Sequence, residues 1–138
     1  MNEITASQVM RYRHLTGYSI MGIKRYLQSL PPEKLSLIFQ AIEIREQEGK
    51  GILRDPKEKD PTFFAIFQLV EAQVTKEVEA ELKQQILELE KTMPEFSDIV
   101  VRRGMYRRIW YLTKQKLQDE YHLDWMTPAE MNPFTIFD

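Results

Sequence analysis

From Thr62 to Thr92 the chain contains neither glycine nor proline. The stretch is rich in good helix formers, which predicts a long helix beginning at Thr62 and ending near Thr92. Its apolar side chains Val70, Val74, Val78, Leu82 and Ile86 recur at every fourth position. Four residues turn through ~400°, so this stripe drifts by ~40° per step instead of following a heptad seam. That argues against a long two-stranded coiled coil and for a helix that wraps across more than one neighbour. Pro94 ends the run, and Ser97 or Asp98 can cap a further helix reaching about Tyr121. The two long helices are expected to fold back as an antiparallel hairpin.

Upstream, helical periodicity continues in shorter pieces. Thr5 or Ser7 caps a first helix that Gly17 closes, and Ser19 caps a second with Ile20, Ile23 and Leu27 on one face. Pro31 and Pro32 stop it, Pro32 can open a third helix, and Leu35, Ile38, Ala41 and Ile42 give that helix a buried stripe ending before Gly49 and Gly51. The segment RDPKEKDP, Arg54 to Pro61, is charged, carries two prolines and lacks an apolar anchor, so it reads as a linker. The tail WMTPAEMNPFTIFD is expected to be irregular. The expectation is an all-α protein: a three-helix bundle over 1–52, a charged linker over 53–61, a long helical hairpin over 62–124 and an irregular tail over 125–138.

Composition narrows the function classes. With 19 basic and 21 acidic residues the net charge is −2, so the chain as a whole attracts neither nucleic acid nor an anionic membrane, and such binding needs a local patch. The absence of cysteine removes thiol catalysis and cysteine-ligated zinc or iron–sulfur centres. No basic-then-apolar signal segment opens the sequence and no apolar run approaches the ~20 residues of a membrane span, which leads us to expect a cytoplasmic protein without a membrane partner.

Residues 3–27, EITASQVMRYRHLTGYSIMGIKRYL, resemble the opening of elongation factor Ts through Ile4, Thr5, Ala6, Ser7, Val9, Arg13, Thr16, Gly17, Met21, Lys24 and Leu27. The resemblance implies a small three-helix, ubiquitin-associated-like module that contacts elongation factor Tu. Ser97, Asp98, Ile99 and Val100 echo that family's Thr-Asp-Phe-Val exchange motif, with Ile99 where the family has phenylalanine. Beyond Leu27 the chain departs from the family in length and pattern. The same N-terminal segment also has the outline of a helix-turn-helix, with Gly17 at the turn and Lys24 and Arg25 towards DNA. Arg13, four residues before the turn where a small side chain is needed, argues against it.

The C-terminal helix offers a second constellation. At ~100° per residue, Val101, Met105, Ile109 and Leu112 share one side, and Ile99, Arg103, Tyr106, Arg107, Trp110, Lys114 and Tyr121 the other. Arg103, Tyr106, Arg107, Trp110 and Lys114 are therefore candidate partner-binding residues, because alternating cations and rings suit RNA or another anionic partner. The acidic series Glu77, Glu79, Glu81, Glu88 and Glu90 reads as the wet face of the long helix, and could neutralise those cations within the chain. Asp119 and His122 stand three apart, like half of a carboxylate–histidine metal pair, but no second pair accompanies them. No phosphate loop, nucleophile elbow or zinc-protease motif occurs, and no cofactor or metal is expected. The sequence thus favours a non-enzymatic, helical protein–protein interaction module, with the resemblance linking it to the translation machinery and to elongation factor Tu. The alternative is an RNA- or ribosome-associated protein using the basic aromatic face.

Overall fold

Thr5 begins the first helix by exchanging hydrogen bonds with Gln8: its Oγ1 accepts the Gln8 N–H at 3.2 Å, and Gln8 Oε1 accepts the Thr5 N–H at 2.9 Å. A computed structural model describes residues 4–49, 51–92 and 104–137, and among these it contains helices and no strand. Helix α1 (Ala6–Thr16) closes at Gly17, whose φ of +75° is left-handed. Helix α2 (Ile20–Ser29) starts with the Ser19 hydroxyl accepting the Gly22 N–H at 3.0 Å. Helix α3 (Pro32–Glu48) uses its proline in the first turn, as expected, and ends at Gly49. These helices bury Val9, Tyr12, Ile23, Leu27, Leu35, Ile38, Ala41 and Ile42 in one core.

The chain divides into two compact units, one of Met1–Asp60 with Met126–Thr135 and one of Pro61–Trp125 with Ile136–Asp138. This division corrects two expectations. Of the segment 53–61, read as a charged linker, residues 53–60 belong to the first unit and Pro61 opens the second. Leu53 and Asp55 are each 1% exposed, and Pro56–Lys59 form a turn of 3-10 helix. The polar residue does the pinning: Asp55 Oδ1 accepts the Lys57 N–H at 2.9 Å while Oδ2 accepts the Met126 N–H at 2.7 Å. The tail, expected to be irregular over 125–138, contains the short helix Pro128–Met131, opened by a second capping box between Thr127 and Glu130. Met126 and Met131 join the core of the first unit. Its prolines, which suggested irregularity, sit at the helix start and just beyond its end, where no N–H is needed.

In the second unit helix α4 (Pro61–Leu89) buries Phe63, Phe67, Val70, Val74, Val78 and Leu82, so the expected four-residue stripe extends towards the helix start, while its last expected member, Ile86, is half-buried. Helix α5 (Met105–Tyr121) packs along it. Arg108 pairs with Glu81, Lys116 with Glu77, and Trp125 lies on Phe67 at a ring separation of 4.9 Å, so contacts advancing along one segment retreat along α4. Gly104, left-handed at φ +76°, immediately precedes α5. Helix α5 therefore begins at Met105, because a left-handed residue interrupts a right-handed helix, and the Ser97 or Asp98 start that the sequence suggested falls outside the described residues. Pro94, Ser97, Asp98, Ile99, Val101 and Arg103 lie outside the described residues. Among the described residues no helix is long and apolar enough to cross a membrane.

Candidate functional site

The helix α5 constellation is only partly a surface. Ile109, Trp110, Thr113 and Leu117 are its buried residues, while Met105 and Leu112 are half-buried. The buried stripe thus steps by four, 109 to 113 to 117, with the same drift as the valines of α4, and its position draws Trp110 inward. Assigning Trp110 to the face opposite Ile109 is corrected accordingly: the indole is 9% exposed, and Phe137 meets it edge-on with centroids 4.9 Å apart. Tyr106 contacts the same ring and remains 49% exposed.

The cations on this helix have partners in the protein. Arg108 directs Nε and Nη2 to Glu81 Oε2 at 3.1 and 2.8 Å, and Lys116 Nζ lies 3.8 Å from Glu77 Oε1. Of the expected site residues, Arg107 is exposed and Lys114 half-buried, and both interact within the chain. Arg103 lies outside the described residues. The acidic series on α4 is exposed throughout, as a wet face should be, and two of its members supply these pairs. His122 is exposed and closes α5 in the left-handed region at φ +55°. Among the described residues no group of three or more His, Cys, Asp or Glu side chains could hold a metal ion.

The first unit presents a different surface, whose residues the sequence names only in other roles, Ile20 on the apolar face of the second helix and Met21 within the resemblance, or not at all. Ile20 and Met21 open α2 and stay 38% and 62% exposed. Phe134 from the tail, 53% exposed, meets Tyr18 edge-on at 5.1 Å and lies over Gly22. A Cβ on Gly22 would come within 3.3 Å of the Phe134 ring and 2.9 Å of Ser19 Oγ, so the glycine lets the ring settle against the helix start. The exposed ring thus rests on the residue that follows the exposed Met21, and Met21 with Phe134 forms an apolar ledge, while Ile20 lies ~160° around the helix from Gly22, on the side of Ile23 and Leu27. In the sequence, Met21 and Phe134 are far apart, and the only available signal was an apolar residue on the outward side of a short amphipathic helix. Tyrosines fasten the tail beneath this ledge: Tyr12 Oη donates to the Met131 carbonyl at 2.6 Å, Tyr26 donates to the Glu130 carbonyl, and the Tyr18 hydroxyl pairs with that of Thr135. Burial pushes the phenols of Tyr12 and Tyr26 far above their ordinary range, because their phenolates would lose hydration. Comparison of the chain with protein-family models, with curated proteins and with solved structures gives no match.

Proposed function

We propose that this protein acts by binding another protein, as a non-enzymatic, cytoplasmic interaction module. In this reading a three-helix, ubiquitin-associated-like bundle carries the docking surface and the two long helices form an antiparallel hairpin. The observation that carries the reading is the ledge of Met21 and Phe134, since clustered exposed apolar side chains on an otherwise well-packed unit are the usual mark of a partner site. Met21 also falls within the segment that resembles elongation factor Ts, which makes elongation factor Tu the first partner to test. The alternative, RNA binding through α5, has less support: Trp110 is covered by Phe137, and Arg108 and Lys116 are paired with glutamates of α4.

The experiment compares the full chain with Met21→Asp, both immobilised, first against purified elongation factor Tu and then against native lysate read by mass spectrometry. Met21 is exposed, so the variant should melt with the parent. The expected result is a protein retained by the parent and lost by the variant. Equal retention by both, or RNA released by salt in place of a protein, would move the function away from this ledge.

A further inference from the structure

The outward side of α2 is charged as well as apolar. At ~100° per residue, Lys24, Gln28, Met21 and Arg25 lie together, turned away from the buried Ile23 and Leu27, and all four are exposed. From Ile4 to Pro32 the sequence has no aspartate or glutamate, yet it includes Arg11, Arg13, Lys24 and Arg25. Two carboxylates elsewhere in the unit are taken up locally: Glu46 pairs with Arg11, and Glu48 with Arg45 and Lys59. Among the described residues neither Lys24 nor Arg25 forms an ion pair, whereas Arg11, Lys34, Arg45, Arg54, Lys57 and Lys59 of the same unit all do.

We infer that this face docks an acidic, amphipathic protein segment, its apolar side chains covering Met21 and Phe134 and its carboxylates meeting Lys24 and Arg25. The inference rests on the protein-binding reading of the same ledge and adds the chemistry of the partner. Charge complementarity selects an acidic segment and sets the orientation in which it lands. The apolar share selects protein over nucleic acid, because phosphates and sugars offer nothing to cover Met21, whose flexible thioether adapts well to a partner's side chains. Adsorption to an anionic membrane draws on clusters of roughly 4–8 basic residues, more than this face of α2 carries.

The test titrates the isotope-labelled full chain with a synthetic helical peptide that has leucines on one face and glutamates on its flanks. Its glutamine and lysine analogues, polyuridylate and phosphatidylserine vesicles are run alongside. The glutamate peptide should shift the amide signals of residues 20–25, and its affinity should fall on the order of tenfold in the glutamine analogue, equivalent to ~1.4 kcal/mol. A Lys24→Glu, Arg25→Glu double variant, altered only at exposed positions, should lose the glutamate peptide by a similar factor and prefer the lysine analogue. Equal binding of glutamate and glutamine peptides would overturn the acidic-partner inference and leave the protein-binding reading standing. Tighter binding of polyuridylate or vesicles at the same residues, shifts confined to other residues, or no binding of any peptide would also overturn the inference. Retention of a protein partner through Met21 is judged separately by the immobilised-chain experiment.

Discussion

Asn132 pairs with the backbone of Leu53 as a strand neighbour would: its Oδ1 accepts the Leu53 N–H at 3.1 Å and its Nδ2 donates to the Leu53 carbonyl at 2.9 Å. A third bond, from Nδ2 to the Pro128 carbonyl at 2.8 Å, ties the same amide to the start of helix α6 (Pro128–Met131). Asn132 is 2% exposed and Leu53 1%, so no water can replace these bonds directly. Asn132→Leu keeps the approximate volume and strands both Leu53 groups. Each buried unpaired group costs ~1–3 kcal/mol, so the variant should lose ~2–4 kcal/mol in a urea titration. Loss below ~1 kcal/mol would mean that the tail is not clamped through this amide.

Gly17 offers a test of the turn between α1 and α2. It is left-handed at φ +75°, and a Cβ there would meet no atom within 4 Å. Any cost of Gly17→Val is therefore backbone strain alone, ~1–2 kcal/mol for a β-branched residue, and Gly17→Asn should recover part of it. Equal melting temperatures for parent and valine variant would remove the turn assignment.

Local rules were legible in the sequence and long-range closure was not. Thr5, Ser19, Pro32 and Gly17 each act within a few residues of their own position, so caps and breaks could be read directly. The stripe Leu35, Ile38, Ala41 and Ile42, all buried, follows from helical spacing. Asp55 was misread because a charged residue among prolines normally belongs to solvent. Its burial depends on the Met126 N–H, 71 positions away, and periodicity carries no such information. Trp110 fails for a related reason: a residue near the boundary between two helix faces is assigned by its neighbours, here Phe137. The ledge was invisible because Phe134 reaches Gly22 only through the folded tail.

Alkaline pH should weaken the first unit. Burial raises the phenols of Tyr12 and Tyr26, while an unfolded tyrosine titrates near ~10. Their contribution is fully present below that value. As pH rises past it, the unfolded chain releases these protons first and stability falls. The urea midpoint should hold up to pH ~9 and drop towards pH ~11. Tyr12→Phe should lose ~1 kcal/mol at neutral pH with its bond to Met131 and show a shallower alkaline decline. A parent decline no steeper than that of the Tyr12→Phe variant would show that Tyr12 is not the source.

Thr113 is fully buried in the second unit and its Oγ1 has no hydrogen-bond partner. A buried hydroxyl without a partner is destabilising, and valine has nearly the same shape without the polar atom. Thr113→Val should therefore raise stability by ~1 kcal/mol, and Thr113→Ser, which keeps the hydroxyl and loses the methyl, should lower it. A destabilised valine variant would mean that the hydroxyl is satisfied.

The two ends of the tail should be separable by their effects. Trp125 is 1% exposed and lies against Phe67, so its emission serves as a protected reference for Trp110, whose outer side is covered by Phe137. Phe137→Ala should red-shift emission and increase acrylamide quenching, with a stability loss of ~1 kcal/mol from the aromatic pair. The first unit should be untouched. Truncation after Asp124 removes Met126, Met131 and Asn132 as well, and should unfold the first unit or drive self-association through its exposed core. For the same reason a fragment ending near Gly51 should not fold stably, since it lacks Leu53 and the tail. Dispersed amide signals for α1 to α3 in the chain truncated after Asp124 would show that these helices stand without the tail. In that case the apolar ledge would have to be redrawn without Phe134.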